Sequence, residues 1–99
     1  MNMEKIEVDK IYSKDECMSR LVSKLKEELM DVISYNNLYE SLMAHRHYEE
    51  AKDIEYIARQ EYHHAQIIYD LLEDDDVEAR NSTDIKSLWE TVKDIFDEE

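Results

Sequence analysis

Glycine and proline are both absent from these 99 residues. Tight turns that need positive φ lean on glycine, and strand punctuation leans on both residues. A chain with neither, rich in Glu, Lys and Leu, is most simply all-α with few and short connections. Cysteine occurs once, at Cys17, which excludes an internal disulfide and any four-cysteine metal site. A reducing, cytoplasmic setting is the matching expectation. Positive charge is scarce: Lys+Arg 12 against Asp+Glu 26 leaves a net charge of −14. That balance repels nucleic-acid phosphates and anionic membrane surfaces, and it attracts cations. No apolar run is long enough to span a bilayer, and no signal-peptide pattern is seen. The length suits one small domain, near the lower end of what a single core can stabilise.

What is present is helical periodicity. Residues 1–13 alternate weakly at Ile6, Val8 and Ile11 and read as an N-terminal arm. Ser13 followed three residues later by Glu16 has the form of a capping box, so a first helix should run over about 14–43. Its apolar stripe is Met18, Leu21, Leu25, Leu29, Val32, Tyr35, Tyr39, Leu42 and Met43. The stripe lapses at Ala44-His45-Arg46-His47, which reads as the connection. A second helix follows over about 48–72, with Ala51, Ile54, Ile57, Ala58, Ala65, Ile68 and Leu71 as its stripe. It ends against Glu73-Asp74-Asp75-Asp76, anions at the negative pole of a helix dipole. Either a solvated acidic loop or a bound cation would answer that mismatch. The hairpin thus occupies 14–73. Asn81-Ser82-Thr83-Asp84 offers N-caps for an amphipathic helix over 82–97, carrying Ile85, Leu88, Trp89, Val92, Ile95 and Phe96. Trp89 should anchor it.

Three charged or polar side chains interrupt the apolar stripes. Glu61 and His64, three residues apart, share one face of the second helix. Glu28 sits within the stripe of the first. In an antiparallel hairpin, Glu28 lies level with Glu61 and His64 if the turn is centred between residues 44 and 46. Periodicity independently puts the connection there. Buried carboxylates and an imidazole are costly unless something pairs with them, and a metal ion is one such partner. Three ligands do not complete a carboxylate-bridged site. Two hairpins face to face would supply four Glu and two His, the Glu plus Glu-x-x-His pattern of di-iron four-helix bundles.

On these residues the chain resembles the ferritin-like superfamily, in the helical-hairpin half shared by bacterioferritins, rubrerythrins and encapsulated ferritins. Glu28 stands at the first-helix position, Glu61 and His64 at the Glu-x-x-His position, and Tyr35 where a tyrosine is common near the metals. The likeness covers roughly Leu21 to Leu72. With one hairpin instead of two, the chain looks most like the half-ferritin type, whose subunits dimerise to build the site and then form a ring. It shows neither the Gly-rich targeting tail of that group nor a rubredoxin domain, so an encapsulating shell protein is a weaker expectation. The resemblance implies a homodimer or larger ring-shaped homo-oligomer and ferroxidase chemistry on Fe²⁺. It implies Glu28, Glu61 and His64 as metal ligands, Asp31 as an auxiliary ligand and Tyr35 as a hydrogen-bonding or electron-donating neighbour. Manganese or zinc could occupy the same donors. Iron detoxification, or delivery to storage, would be the purpose.

The alternative is a non-enzymatic acidic helical bundle, structural or metal-binding, in which the three residues form a hydrogen-bonded cluster that specifies register. His63 points away from the Glu61 stripe, and His45 and His47 lie at the hairpin tip, so these three read as solvated. Helices one and two cannot cover both their stripes alone. Dimerisation would do so, and the third helix could fold back on its own hairpin or dock on a neighbour.

Overall fold

The computed structural model describes residues 10–75 and 82–96, and of 73–75 the backbone only. The arm over 1–9, Asp76 at the end of the acidic run, and residues 97–99 therefore lie outside the described residues. Within them the protein is all-α. The N-cap Ser13 has extended backbone, and its Oγ accepts from the Glu16 N–H at 3.2 Å, opening α1 (Lys14–Ala44). The Glu16 carboxylate turns the other way and takes Arg20 Nη2 at 3.3 Å, one turn on. Ser82 opens the last helix in the same manner, its Oγ accepting from Ile85 N–H at 3.4 Å.

The connection shows how a chain without glycine turns. Arg46 stands in the left-handed region, at φ 63°. His47 N–H bonds to Leu42 C=O at 2.9 Å and Arg46 N–H to Met43 C=O at 3.0 Å. These two bonds form a Schellman motif with arginine where glycine is usual. The chain then enters α2 (Tyr48–Asp75) directly. This helix runs three residues beyond the expected end at Leu72. Nothing in the sequence stops it there, and anions in a last turn cost only about 0.3–1 kcal/mol.

The two long helices meet along Ala51, Ala58, Ala65 and Leu72, seven residues apart on α2 and all buried, against Leu25, Leu29 and Val32 of α1. Alanine at three successive positions lets the backbones approach closely. The third helix, α3 (Thr83–Phe96), buries Ile85 and Val92 and folds back on its own hairpin, the first of the two options its sequence allows. It is held by aromatic contacts. Trp89 stacks on Tyr69 at 4.6 Å and tilts on Tyr62 at 6.0 Å, while Phe96 stacks on Tyr62 at 4.9 Å. Arg59 lies over the Phe96 ring at 5.1 Å, and Lys26 Nζ reaches Asp84 Oδ2 at 3.7 Å. Trp89 anchors α3 as its place in the stripe suggests. Tyr62, absent from the expected core, is buried at its centre.

α3 covers one face of the hairpin only. On the other, α2 carries a second seam, Ile54, Ile57, Glu61, His64, Ile68 and Leu71, in strict three-four alternation. The single stripe read from the sequence is in fact two. Leu71, counted there as core, is 52% exposed, as Leu38 on the matching face of α1 is 48% exposed.

Left-handed backbone costs a non-glycine residue about 1–2 kcal/mol, offset in part by the greater unfolded-chain freedom of glycine. Arg46→Gly should therefore raise the thermal midpoint by a few degrees in calorimetry. An unchanged or lower midpoint would mean that the turn is not strained.

Candidate metal centre

The uncovered seam brings Glu28, Glu61 and His64 together. One ligand atom from each lies within 4.8 Å of the others. His64 Nδ1 is 3.8 Å from Glu28 Oε2 and 3.8 Å from Glu61 Oε1. The carboxylate side chains are 21% and 20% exposed and the imidazole 50% exposed, so the cluster opens toward the seam and not into the core. Its position follows from three features of the chain. The Glu-x-x-His spacing puts two donors on one face of α2, the alanine seam draws α1 close, and the Arg46 turn fixes the register that levels Glu28 with both.

Glu28 Oε2 is buried with no hydrogen-bond partner. Burial first, then a hydrogen bond to Glu61, then the negative charges of Glu61 and Asp31 push the Glu28 carboxyl up to about 7, against a smaller lowering by Lys24. A hydrogen bond between two carboxyl groups needs a proton, and the raised value lets Glu28 hold one near neutral pH. A cation is the alternative occupant. Donors each about 2.1 Å from one ion can lie no more than about 4.2 Å apart. Both His64 contacts already fall within that limit, and all three donor atoms lie within 4.8 Å of one another. The orphaned oxygen and the oxygen-rich donor set with one imidazole fit a divalent cation. In this geometry the imidazole would ligate through Nδ1.

The other residues singled out in the sequence stand elsewhere. Asp31, one turn along α1 from Glu28, is exposed and outside the three-residue cluster, although its charge is felt there. Tyr35, two turns along, is half-buried on the same seam and outside the cluster. His63 is exposed and lines an open groove between α2 and α3 with Tyr69, Trp89 and Lys93, on the far side of α2 from the cluster. His45 and His47 are exposed at the tip, where His47 Nδ1 lies 3.1 Å from Glu50 Oε2. No protein-family profile, curated protein or solved structure matches the chain. The ferritin-like resemblance rests on its residues alone.

The raised Glu28 value sets a pH dependence. A carboxyl whose value rises from 4.5 to about 7 on folding contributes its stability below 4.5 and loses it as pH climbs through 7. In metal-free protein, Glu28→Gln mimics the protonated form. Its thermal midpoint should match the wild type near pH 4 and exceed it by several degrees at pH 8. A difference that stays constant across that range would show that Glu28 is not held protonated. Divalent-cation affinity should fall as pH drops below 7, since the ion displaces the proton.

Proposed function

We propose that this chain is a ferroxidase-type iron-binding protein of the half-ferritin kind, with its metal centre shared between two copies. The observation that carries the reading is the convergence of Glu28, Glu61 and His64 on a seam that no other described helix covers, with Glu28 Oε2 lacking a hydrogen-bond partner. Oxygen donors with one imidazole and no sulfur suit Fe²⁺ or Mn²⁺, and Zn²⁺ can take the same set. One chain supplies two carboxylates and one histidine. Two copies supply the four Glu and two His of a carboxylate-bridged bundle centre.

In this reading Fe²⁺ is the substrate. Two Fe²⁺ each lose one electron. With O₂ as acceptor, both electrons and two protons yield H₂O₂, and with H₂O₂ as acceptor they yield two H₂O. Glu28, Glu61 and His64 of each chain would hold the two ions. Tyr35 stands on the same seam, available to hydrogen-bond or donate an electron. The net charge of −14 raises the local concentration of Fe²⁺. A proton held at Glu28 would leave as iron binds, so uptake would release acid. Iron detoxification, or handing Fe³⁺ to storage, is the role such a centre would serve. Any ring built from these dimers would use surfaces other than the site seam.

Anaerobic titration should show about one Fe²⁺ bound per chain, half of a two-ion centre, with a rise in near-ultraviolet absorbance on aeration. Glu61→Ala should abolish both while leaving helicity by circular dichroism unchanged. Full oxidation by that variant would show that the ligands lie elsewhere. Wild-type protein with neither stoichiometric iron nor an absorbance change would favour a polar cluster that only specifies register.

A further inference from the structure

The groove between α2 and α3 lies on the far side of α2 from Glu61 and His64, and it has a polarity of its own. Its volume is about 550 Å³, within the range of small-molecule sites. His63, Ile67 and Asp70 recur at spacings of four and three, so they share one face of α2. Trp89 and Lys93, four residues apart on α3, line the other wall. The floor is apolar and its rings are fixed. Tyr69 and Trp89 stack at 4.6 Å with their planes 12° apart, and beside them Ile67 is 47% exposed.

The charges are sorted to opposite ends. Ring contacts give the direction of α3 across α2: Trp89 stacks on Tyr69, and seven residues on, Phe96 stacks on Tyr62. Lys93 therefore lies toward the Tyr62 end, with His63, while Asp70 lies at the Tyr69 end. Along α2, His63 and Asp70 are separated by about 10 Å of helix rise. Gln66, which lines the groove between them, is uncharged. Among the described residues neither Lys93 nor Asp70 is held in an ion pair. An anion at one end and a hydrogen-bond donor at the other would have to come from outside the groove walls.

We propose that this groove binds a flat aromatic acid, independently of the metal centre. The ring lies against Trp89 and Ile67, the acid group meets Lys93 and His63, and a donor on the far edge of the ring meets the Asp70 carboxylate. The polarity selects for a single acid group. A second one would be repelled by Asp70, and a ring with no acid would leave Lys93 unmatched.

The probe is 6-amino-2-naphthoate. Three relatives separate its parts: 2-naphthoate lacks the donor, 2-naphthylamine lacks the acid, and 2,6-naphthalenedicarboxylate carries a second acid. Trp89 is the only tryptophan, so quenching of its fluorescence locates binding, and calorimetry gives the affinity. The aminonaphthoate should bind roughly tenfold more tightly than either singly substituted ring, the factor of about one charge-assisted hydrogen bond. The dicarboxylate should bind more weakly than 2-naphthoate. Lys93→Gln should weaken both monoacids roughly tenfold and leave 2-naphthylamine unchanged. Asp70→Asn should remove the penalty on the dicarboxylate. Both positions are exposed, and an unchanged circular dichroism spectrum checks that the variants fold. Absence of Trp89 quenching, equal affinity for all four rings, or a Lys93→Gln variant that binds the acids as wild type does would each overturn the proposal. Self-association that competes with the probe would assign the groove to a second copy and overturn it as well.

Discussion

The close approach of α1 and α2 over Ala51, Ala58 and Ala65 is the constraint on which the rest depends. Those three positions are buried and carry the smallest side chain that a glycine-free chain possesses. Bulkier residues there would hold the helices further apart, and Glu28 would no longer reach Glu61 and His64. The same economy explains the two seams of α2. With the hairpin contact confined to one narrow stripe, the neighbouring stripe is left to carry isoleucines, Glu61 and His64 toward a face that no other described helix fills. α3 closes the opposite face with its aromatic contacts.

Much of this was legible in the sequence, for definable reasons. Long amphipathic periodicities and Ser13 and Ser82 as caps announce three helices, and the absence of glycine and proline leaves few ways to build anything else. The level of Glu28 with Glu61 and His64 follows from arithmetic on an antiparallel pair, since the turn is short. Other features depend on choices that periodicity cannot see. Reading Ile54, Ile57 and Leu71 together with Ala58 and Ala65 merges two seams, because neighbouring stripes on one helix overlap when both are apolar. Only packing separates them. Tyr62 is harder to read, because tyrosine is common both in cores and at their rims. Its spacing from Ala58, Ala65 and Tyr69, at four, three and seven residues, was the available signal. The turn between Ala44 and Tyr48 carries no glycine or proline to mark it, and that Arg46 holds the left-handed backbone is not deducible from composition.

The electrostatics of the cluster and the missing cover of the seam are one problem viewed from two sides. A carboxyl held near neutrality by burial and by like charges is a site where a proton and a divalent ion compete on nearly equal terms at physiological pH. Left open to water, such a site favours the proton or a solvated state. Covered by a second copy, it loses water, and charges of the same sign from both chains crowd together. Four carboxylates at one level would repel strongly enough to oppose assembly unless a cation neutralised them. On the proposed reading, association and metal binding would therefore be linked: the ion would remove the repulsion that resists a dimer, and a dimer would supply the donors that one chain lacks. Assembly would then itself respond to the cation.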